Sequence, residues 1–180
     1  MLQPLAETAR AVFGARAVSI LVAEEDSGQF LFAAVAGEGA DTMPGTRIPA
    51  NTGIAGWVLA AGQPLVVEDV TQDPRFAADF ARSTGYLPKG IMTAPILGED
   101  GPIGVISVLD RPRRAEFSLV EVELLERFCH LVALALPQNA NGAPEGTPVA
   151  DLAAAVASLP PRRRAAAERL VDALAALLET

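Results

Sequence analysis

Apolar residues in the first part of the chain recur with two different periods. Residues 1–15 carry apolar side chains at spacings of three and four, which predicts a short helix with one apolar face. Two apolar, strand-like runs follow at residues 16–23 and 29–36, separated by an acidic turn that ends at Gly28. The pattern therefore predicts a helix followed by a β-hairpin.

The middle of the chain predicts shorter elements. Short strands are expected at residues 46–48 and 64–68. Between them lies a helix that residue 51 or 52 can cap and that Gly62 ends. The pair Asp73-Pro74 predicts the start of another helix, because an aspartate cap followed by proline is preorganised for the first helical turn.

The next segment predicts a second hairpin and a long helix. Residues 91–97 and 102–109 are apolar runs joined by a turn that contains Asp-Gly, which favours antiparallel pairing. Residues 118–136 have helical periodicity, and Ser118 with Glu121 has the spacing of a capping box. The predicted class is α+β.

Composition divides the chain into three parts. We predict a domain over residues 1–137, a Pro-, Gly- and Asn-rich linker over 138–148, and a helical hairpin over 149–180. Pro160-Pro161 separates the two amphipathic helices of that hairpin. Each is too short to be stable alone in water, so the pair is expected to dock on another surface.

Composition and charge exclude several classes of function. Of 180 residues, 51% are hydrophobic and 20% are charged, which is typical of a globular protein. The net charge of −8 disfavours nucleic acid and anionic lipid as partners. A single cysteine and a single histidine exclude an internal disulfide, a cysteine-cluster metal site and any site that needs two imidazoles.

No membrane or export signal is recognisable in the sequence. Residues 48–67 are uncharged, but prolines and glycines interrupt them, so we do not expect a membrane span. The first ten residues lack both a basic start and a continuous apolar run. We therefore expect a cytoplasmic protein without a membrane partner.

Several motifs occur in the order found in one known family. The longest is residues 45–76, GTRIPANTGIAGWVLAAGQPLVVEDVTQDPRF. It is followed by Thr84-Gly85-Tyr86, Ala94-Pro95-Ile96, Ile103-Gly104-Val105-Ile106 and Phe117-Ser118. From about residue 5 to 136 the chain resembles GAF domains. The resemblance implies a GAF/PAS-like twisted antiparallel sheet of about five or six strands, with terminal helices on one face and loops and short helices over a pocket on the other.

The resemblance leaves the function open, because GAF domains bind cyclic nucleotides, bilins, haem or metabolites, dimerise, or reduce free methionine sulfoxide. The reductase branch uses cysteines near residues 80–95, and this chain has none there. Cys129 shares a helical face with apolar residues and is expected in the core. His130 is expected in solvent, which disfavours haem, and bilin attachment has no suitable thiol.

Cyclic-nucleotide binding is weakly supported. GAF domains that bind these ligands carry an Asn-Lys, Phe, Asp-Glu constellation near the last strand and helix. Here Asp110-Arg111, Phe117 and Glu121-Val122 match the frame but lack the asparagine and the final carboxylate. No nucleophile, base and orienting group can be assigned together, so we expect no enzymatic activity and predict no cofactor.

Three strands each carry one small hydroxyl residue: Ser19, Thr93 and Ser107. If the strands are neighbours, as the resemblance implies, the hydroxyls form a polar row on an apolar sheet. A few converging polar groups on apolar walls are typical of a small-molecule pocket. In the alternative interpretation, each hydroxyl bonds to the backbone inside a packed core.

The resemblance places four aromatic residues above this row: Trp57, Phe76, Phe80 and Tyr86. Trp57 and Tyr86 combine an apolar ring with a polar tip and could cover a ligand. For Trp57, packing of its helix on the sheet is the simpler explanation, because that helix must pack there whether or not a ligand binds. Arg47 and Lys89 are candidate rim residues for an anionic group.

We expect a regulatory GAF module that binds an unidentified small molecule in an apolar pocket. Its terminal helices would transmit the change to a homodimer interface or to a separate signalling protein. The alternative is a ligand-free dimerisation or assembly module that acts through its carboxy-terminal helices, with Ala167, Leu170, Leu174 and Leu177 as a helix-packing seam.

Overall fold

The computed structural model describes residues 2–24, 26–112 and 119–136. The α-helices of this part are α1 (Leu2–Phe13), α2 (Gly53–Ala61), α3 (Ala78–Ser83) and α4 (Leu119–Ala135). The strands are β1 (Ala17–Glu24), β2 (Gln29–Gly37), β3 (Arg47–Pro49), β4 (Leu65–Val67), β5 (Ile91–Gly98) and β6 (Gly101–Leu109). They form a six-stranded antiparallel sheet in the order β3-β2-β1-β6-β5-β4, which confirms the predicted α+β class.

Side-chain alternation along the strands separates two apolar layers. Val18 and Ile20 on β1, with Ile106 and Val108 on β6, face α1 and α4. The intervening residues face the opposite side of the sheet, where α2 and α3 lie. The strands are therefore buried on both faces, which explains their nearly continuous apolar runs. Within the described residues, no helix is both long enough and apolar enough to cross a membrane.

A β-bulge in β2 shapes the second face. Ile20 is opposite Ala34 while Leu21 is opposite Phe32, so Ala33 is the extra residue of the bulge. Because of this insertion, Phe32 and Val35 lie on the same face of the sheet although they are three positions apart. Strict alternation would have placed Val35 toward α1 and α4 instead.

The predicted helix start at Asp73-Pro74 is wrong. A single 3-10 turn at Val70–Gln72 comes first, with Asp69 accepting from the Thr71 amide, and α3 begins only at Ala78. The Asp73 carboxylate instead accepts the backbone N–H and the guanidinium of Arg75, 2.9 Å from the amide nitrogen. It therefore stabilises a turn, because aspartate side chains compete for nearby backbone donors.

The short strands β3 and β4 and the end of α2 agree with expectation, whereas the predicted cap at the start of α2 is wrong. Gly62 ends α2 in the left-handed conformation, and its N–H donates to the Val58 carbonyl. Thr52 precedes α2 with extended backbone but makes no capping hydrogen bond. Ser118, the linker over 138–148 and the helical hairpin over 149–180 lie outside the described residues, and these predictions remain predictions.

Candidate ligand cavity

A cavity of about 140 Å³ lies between the sheet and the short helices, on the face opposite α1 and α4. Its floor is formed by β1, β2, β5 and β6, and its cover by the start of α2, by α3 and by the segments flanking α3. The wall residues are mostly apolar. The lining residues used below are Ser19, Phe32, Glu38, Phe76, Phe80, Ala81, Tyr86, Thr93 and Ser107.

The three predicted hydroxyl residues form a row across the cavity floor. Ser19 pairs with Ser107 across β1 and β6, and Ser107 pairs with Thr93 across β6 and β5. Directly opposed side chains of an antiparallel sheet have Cβ atoms about 5 Å apart. The Oγ1 of Thr93 and the Oγ of Ser107 are 2.9 Å apart and share a hydrogen bond. All three residues are buried, with exposures of 8% for Ser19, 0% for Thr93 and 7% for Ser107.

Aromatic rings form much of the cover. Phe32 from β2 and Phe80 from α3 are stacked, with ring centroids 6.0 Å apart and planes tilted by 29°. Phe76 precedes α3 and lines the cavity as well. Offset rings at this separation attract each other beyond their simple burial, so they hold α3 against the sheet.

Tyr86 closes one end of the cavity through a hydrogen bond to Asp110 at the end of β6. Its hydroxyl donates to one carboxylate oxygen, and the backbone N–H groups of Lys89 and Gly90 donate to the other at 2.7 and 3.0 Å. Asp110 adopts a positive φ of 51°, a conformation that aspartate tolerates better than most residues. This carboxylate therefore fixes the 86–90 loop to the sheet.

The environment of Tyr86 disfavours its ionised form. Burial, and then the hydrogen bond to the Asp110 carboxylate, raise the pKa of the Tyr86 phenol above its ordinary value. The phenol is thus neutral and acts as a hydrogen-bond donor. The sequence analysis considered Asp110 only as part of the incomplete cyclic-nucleotide constellation and did not predict its contact with Tyr86, which is 24 positions away.

Arg16 and Glu38 form an ion pair beside the cavity, with nitrogen and oxygen 3.0 Å apart. Glu38 lines the cavity, and the Arg16 guanidinium lies 5.4 Å from the centre of the Tyr86 ring. Both side chains are about half exposed, at 62% and 48%, so the pair lies at the solvent side. Neither residue was predicted, since a surface charge pair has no distinctive sequence pattern.

Close backbone packing positions the start of α2 above the cavity. Gly53 has a φ of +64°, and a Cβ added there would lie 3.1 Å from the Cβ of Ala77. Both residues line the cavity. Glycine is favoured here because it tolerates the left-handed conformation and leaves room for the segment that leads into α3.

Three predicted site residues lie outside the cavity lining. Trp57 is 39% exposed, and the Arg75 guanidinium lies 4.7 Å from the centre of its ring. Arg47 lies on edge strand β3 and pairs with Glu24 at 2.9 Å. Lys89 lies along a second, charged hollow. Of the predicted site residues, the following line the cavity: Ser19, Phe76, Phe80, Tyr86, Thr93 and Ser107.

The two residues considered for redox or haem chemistry lie on α4, on the far side of the sheet. Cys129 is 2% exposed, and its Sγ is 3.5 Å from the Ala94 carbonyl oxygen. Burial raises the pKa of its thiol, which disfavours the reactive thiolate. His130 is exposed, as predicted.

Arg111, the residue after Asp110, connects the sheet to α4. Its guanidinium lies 3.0 Å from a carboxylate oxygen of Glu121 and 2.8 Å from one of Glu68. The Arg111 and Glu121 side chains are only 9% and 6% exposed. The two residues that directly follow β6, Asp110 and Arg111, thus contact the cavity loop and α4, respectively.

The GAF domain family model matches residues 1–136. This chain belongs to the GAF domain family. GAF domains are regulatory and sensory modules, and the matched region includes every element described above. The recognition made from the sequence motifs is confirmed.

Sequence relatives of this GAF domain include parts of much longer proteins. The cone cGMP-specific 3',5'-cyclic phosphodiesterase subunit alpha' of Mus musculus is 28% identical over 88 residues, which are 49% of this chain and 10% of that protein. A dual 3',5'-cyclic-AMP and -GMP phosphodiesterase 11 of Drosophila melanogaster is 31% identical over 91 residues, 50% of this chain and 6% of that protein. The similarity therefore covers a small part of each enzyme.

Solved structures show the same fold. The GAF domain of an Acinetobacter phosphoenolpyruvate-protein phosphotransferase superposes with a TM-score of 0.62 at 16% identity, over 73% of this chain and 77% of that one. The free methionine-R-sulfoxide reductase of Neisseria meningitidis, solved with its substrate, gives a TM-score of 0.56 at 24% identity, over 73% and 76% of the two chains.

Proposed function

We propose that this GAF domain is a sensor that binds a small molecule in the 140 Å³ cavity and transmits binding through its terminal helices. The observation that carries the proposal is the position of the hydroxyl row. Ser19, Thr93 and Ser107 line a hollow rather than solid core. Sparse polar groups on apolar walls orient a ligand while the walls provide affinity.

The route of transmission follows β6. Tyr86 lines the cavity and donates to Asp110, and Arg111 pairs with Glu121 on α4. A ligand that favours one position of the Tyr86 loop would shift the backbone of residues 110 and 111. Since Glu121 and Arg111 are both buried, a small shift alters the packing of α4.

The surface of α4 supports an output by helix packing. Leu119 is 73% exposed, Val120 40% and Leu134 37%. These side chains lie at the two ends of α4, where a partner would bury apolar area. We propose a second copy of the chain or a separate signalling protein as the partner, which would make the transmitted change a change in assembly.

Cyclic nucleotides fit the cavity poorly, although two relatives are named as cyclic-nucleotide phosphodiesterases. A nucleotide is much larger than a ligand suited to about 140 Å³. Its phosphate also carries a negative charge, whereas the described lining residues include neither lysine nor arginine to pair with it. The geometry favours a smaller and less charged molecule.

The residues that line the cavity favour binding of a ligand without catalysis. Tyr86 and Glu38 are the titratable side chains among the described lining residues, and each is engaged by a partner. The single cysteine of the chain is buried behind the sheet, so it cannot act as the thiolate nucleophile of a sulfoxide reductase in this cavity. We propose a non-enzymatic role.

A cavity-filling variant tests the proposal. Ala81 is on α3, is 8% exposed and lines the cavity, so leucine at this position occupies the ligand's space. We expect a metabolite panel to yield a compound that raises the melting temperature of the wild-type protein, and Ala81→Leu to abolish that shift. Hydrogen exchange in α1 and α4 should slow with the compound in the wild type only.

The control is Ala78→Leu, which adds the same bulk to the same helix at a half-buried position outside the lining. Ala78→Leu should retain the thermal shift. Retention of the shift by Ala81→Leu would contradict binding in this cavity. The absence of any stabilising compound from the panel and from native extracts would contradict the sensor function itself.

A further inference from the structure

The hydroxyl row has hydrogen-bonding capacity that the protein itself does not use. Thr93 and Ser107 share one hydrogen bond, which occupies only one of their two hydroxyl protons. In the described part of the chain, no hydrogen bond joins the Ser19 hydroxyl to a protein group, although Ser19 is only 8% exposed. The Ser19 hydroxyl therefore faces the open cavity, where a molecule that enters can accept its proton.

The charges around the cavity indicate that this acceptor is uncharged. Arg16, a basic residue beside the cavity, is paired with the lining residue Glu38 at 3.0 Å. The Tyr86 hydroxyl donates to Asp110 and is not available to a ligand. An anion in the cavity would therefore lose its hydration and meet the Glu38 carboxylate without a lysine or arginine side chain in the lining, so that hydroxyl groups and the N–H groups at the start of α2 would be its only compensation.

The volume and walls of the cavity indicate a flat ring. A dry protein cavity of about 150 Å³ accepts one benzene molecule, and this cavity is about 140 Å³. The stacked Phe32 and Phe80 rings and the neighbouring Phe76 offer aromatic surface to a planar guest. One ring with a short substituent matches the space above the hydroxyl row.

We propose that the ligand is a neutral molecule of one ring that carries a hydroxyl or carbonyl oxygen, with the ring against Phe76 and Phe80 and the oxygen on Ser19 and Ser107. This inference rests on the proposed sensor function and names the ligand class of that site. The aromatic residues provide affinity for the ring, while the two serine hydroxyls distinguish it from a hydrocarbon.

Three probes with the same ring separate the contributions of the ring, the hydroxyl oxygen and a negative charge to binding. They are toluene, benzyl alcohol and benzoate. Calorimetry or ligand-observed NMR on the full chain should show benzyl alcohol binding about tenfold more tightly than toluene, because toluene leaves the Ser19 proton without an acceptor. Benzoate should not bind, since its charge has no cationic partner in the lining. The double variant Ser19→Ala with Ser107→Ala should remove the preference for the alcohol and leave toluene binding within about twofold.

Ser27→Ala is the matched control, since Ser27 is exposed in the turn between β1 and β2 and should leave all three affinities unchanged. Benzoate binding as tight as that of benzyl alcohol would overturn the ligand class. So would an alcohol preference that survives the double variant, or no binding by any of the three probes. The sensor function itself would survive these outcomes if another compound still gave a thermal shift that Ala81→Leu abolishes.

Discussion

The two faces of the sheet are built by the same strands but differ in the side chains they present and in how they are covered. Toward α1 and α4 the strand side chains are aliphatic and almost fully buried, and Phe13 packs on Phe128 at 6.0 Å. Toward α2 and α3 the same strands present Ser19, Thr93 and Ser107, and the cover consists of short helices and loops. The face toward α1 and α4 carries the larger apolar core, whereas the face toward α2 and α3 contains the cavity, and side-chain alternation lets one sheet form both.

The lengths of the covering helices account for part of this difference. α4 has 17 residues and α1 has 12, so each extends across several strands. α3 has only six residues and depends on ring stacking and on the Tyr86 and Asp110 anchor. Short elements with few packed contacts open more easily, as a ligand site requires.

The largest expected effect on stability comes from replacing one phenylalanine by alanine on each face of the sheet. Phe128→Ala removes a ring that is 1% exposed, and we expect a loss of about 3 to 5 kcal/mol in the free energy of unfolding. Phe80→Ala removes a half-buried ring that already borders a cavity, and we expect a loss of about 1 kcal/mol. Urea denaturation measures both values. Equal losses would show that the cavity face is packed as tightly as the helix face.

A smaller loss of stability should follow from removing the hydrogen bond between Thr93 and Ser107. Thr93→Val removes one partner of the 2.9 Å hydrogen bond with little change in shape, and we expect a loss of about 1 kcal/mol in stability. Ser107→Ala should cost a similar amount, and the double variant less than the sum, because the pair is lost only once. Additive losses in urea denaturation would show that the two hydroxyls do not interact.

The smallest expected effect concerns the ionisation of the Tyr86 phenol. Tyr86 is the single tyrosine of the chain, so the absorbance of tyrosinate reports on this residue alone. Its raised pKa means that the folded protein should ionise above the ordinary value of about 10. The corresponding stability is fully present below about pH 10 and is lost as the pH rises through the folded-state pKa.

Asp110→Asn should lower the tyrosinate midpoint part of the way toward the ordinary value, since burial remains while the negative charge is removed. Asp26→Asn is the control, because Asp26 is exposed in the turn between β1 and β2. A wild-type midpoint at the ordinary tyrosine value would contradict the buried hydrogen bond between Tyr86 and Asp110.

Several features of the fold were predictable because their causes are local. The spacing of three and four in α1 and α4, and the short turn between β5 and β6, identify elements from nearby residues alone. The prediction that a helix starts at Asp73 was wrong for a reason that the spacing of residues does not reveal. The carboxylate had a competing partner in Arg75, and only the folded turn shows which donor it accepts.

The candidate site was predictable in its residue types but not in its shape. Ser19 and Ser107 are recognisable as hydroxyls in apolar strands, yet their alignment depends on a register between strands that are far apart in the chain. Trp57 illustrates the opposite outcome. Its ring lies against Arg75 at the surface, because the direction of a side chain on a short helix depends on how the helix is placed.

Hydrophobic periodicity and motif order are properties of the chain, so they were enough to identify the α+β class, the family and the three hydroxyls. The folded arrangement was needed to show that those hydroxyls line a cavity, and that Asp110 anchors Tyr86 while Arg111 reaches Glu121. These features join residues from distant segments. Their geometry follows from strand register and helix placement, which many weak contacts across the whole domain set together.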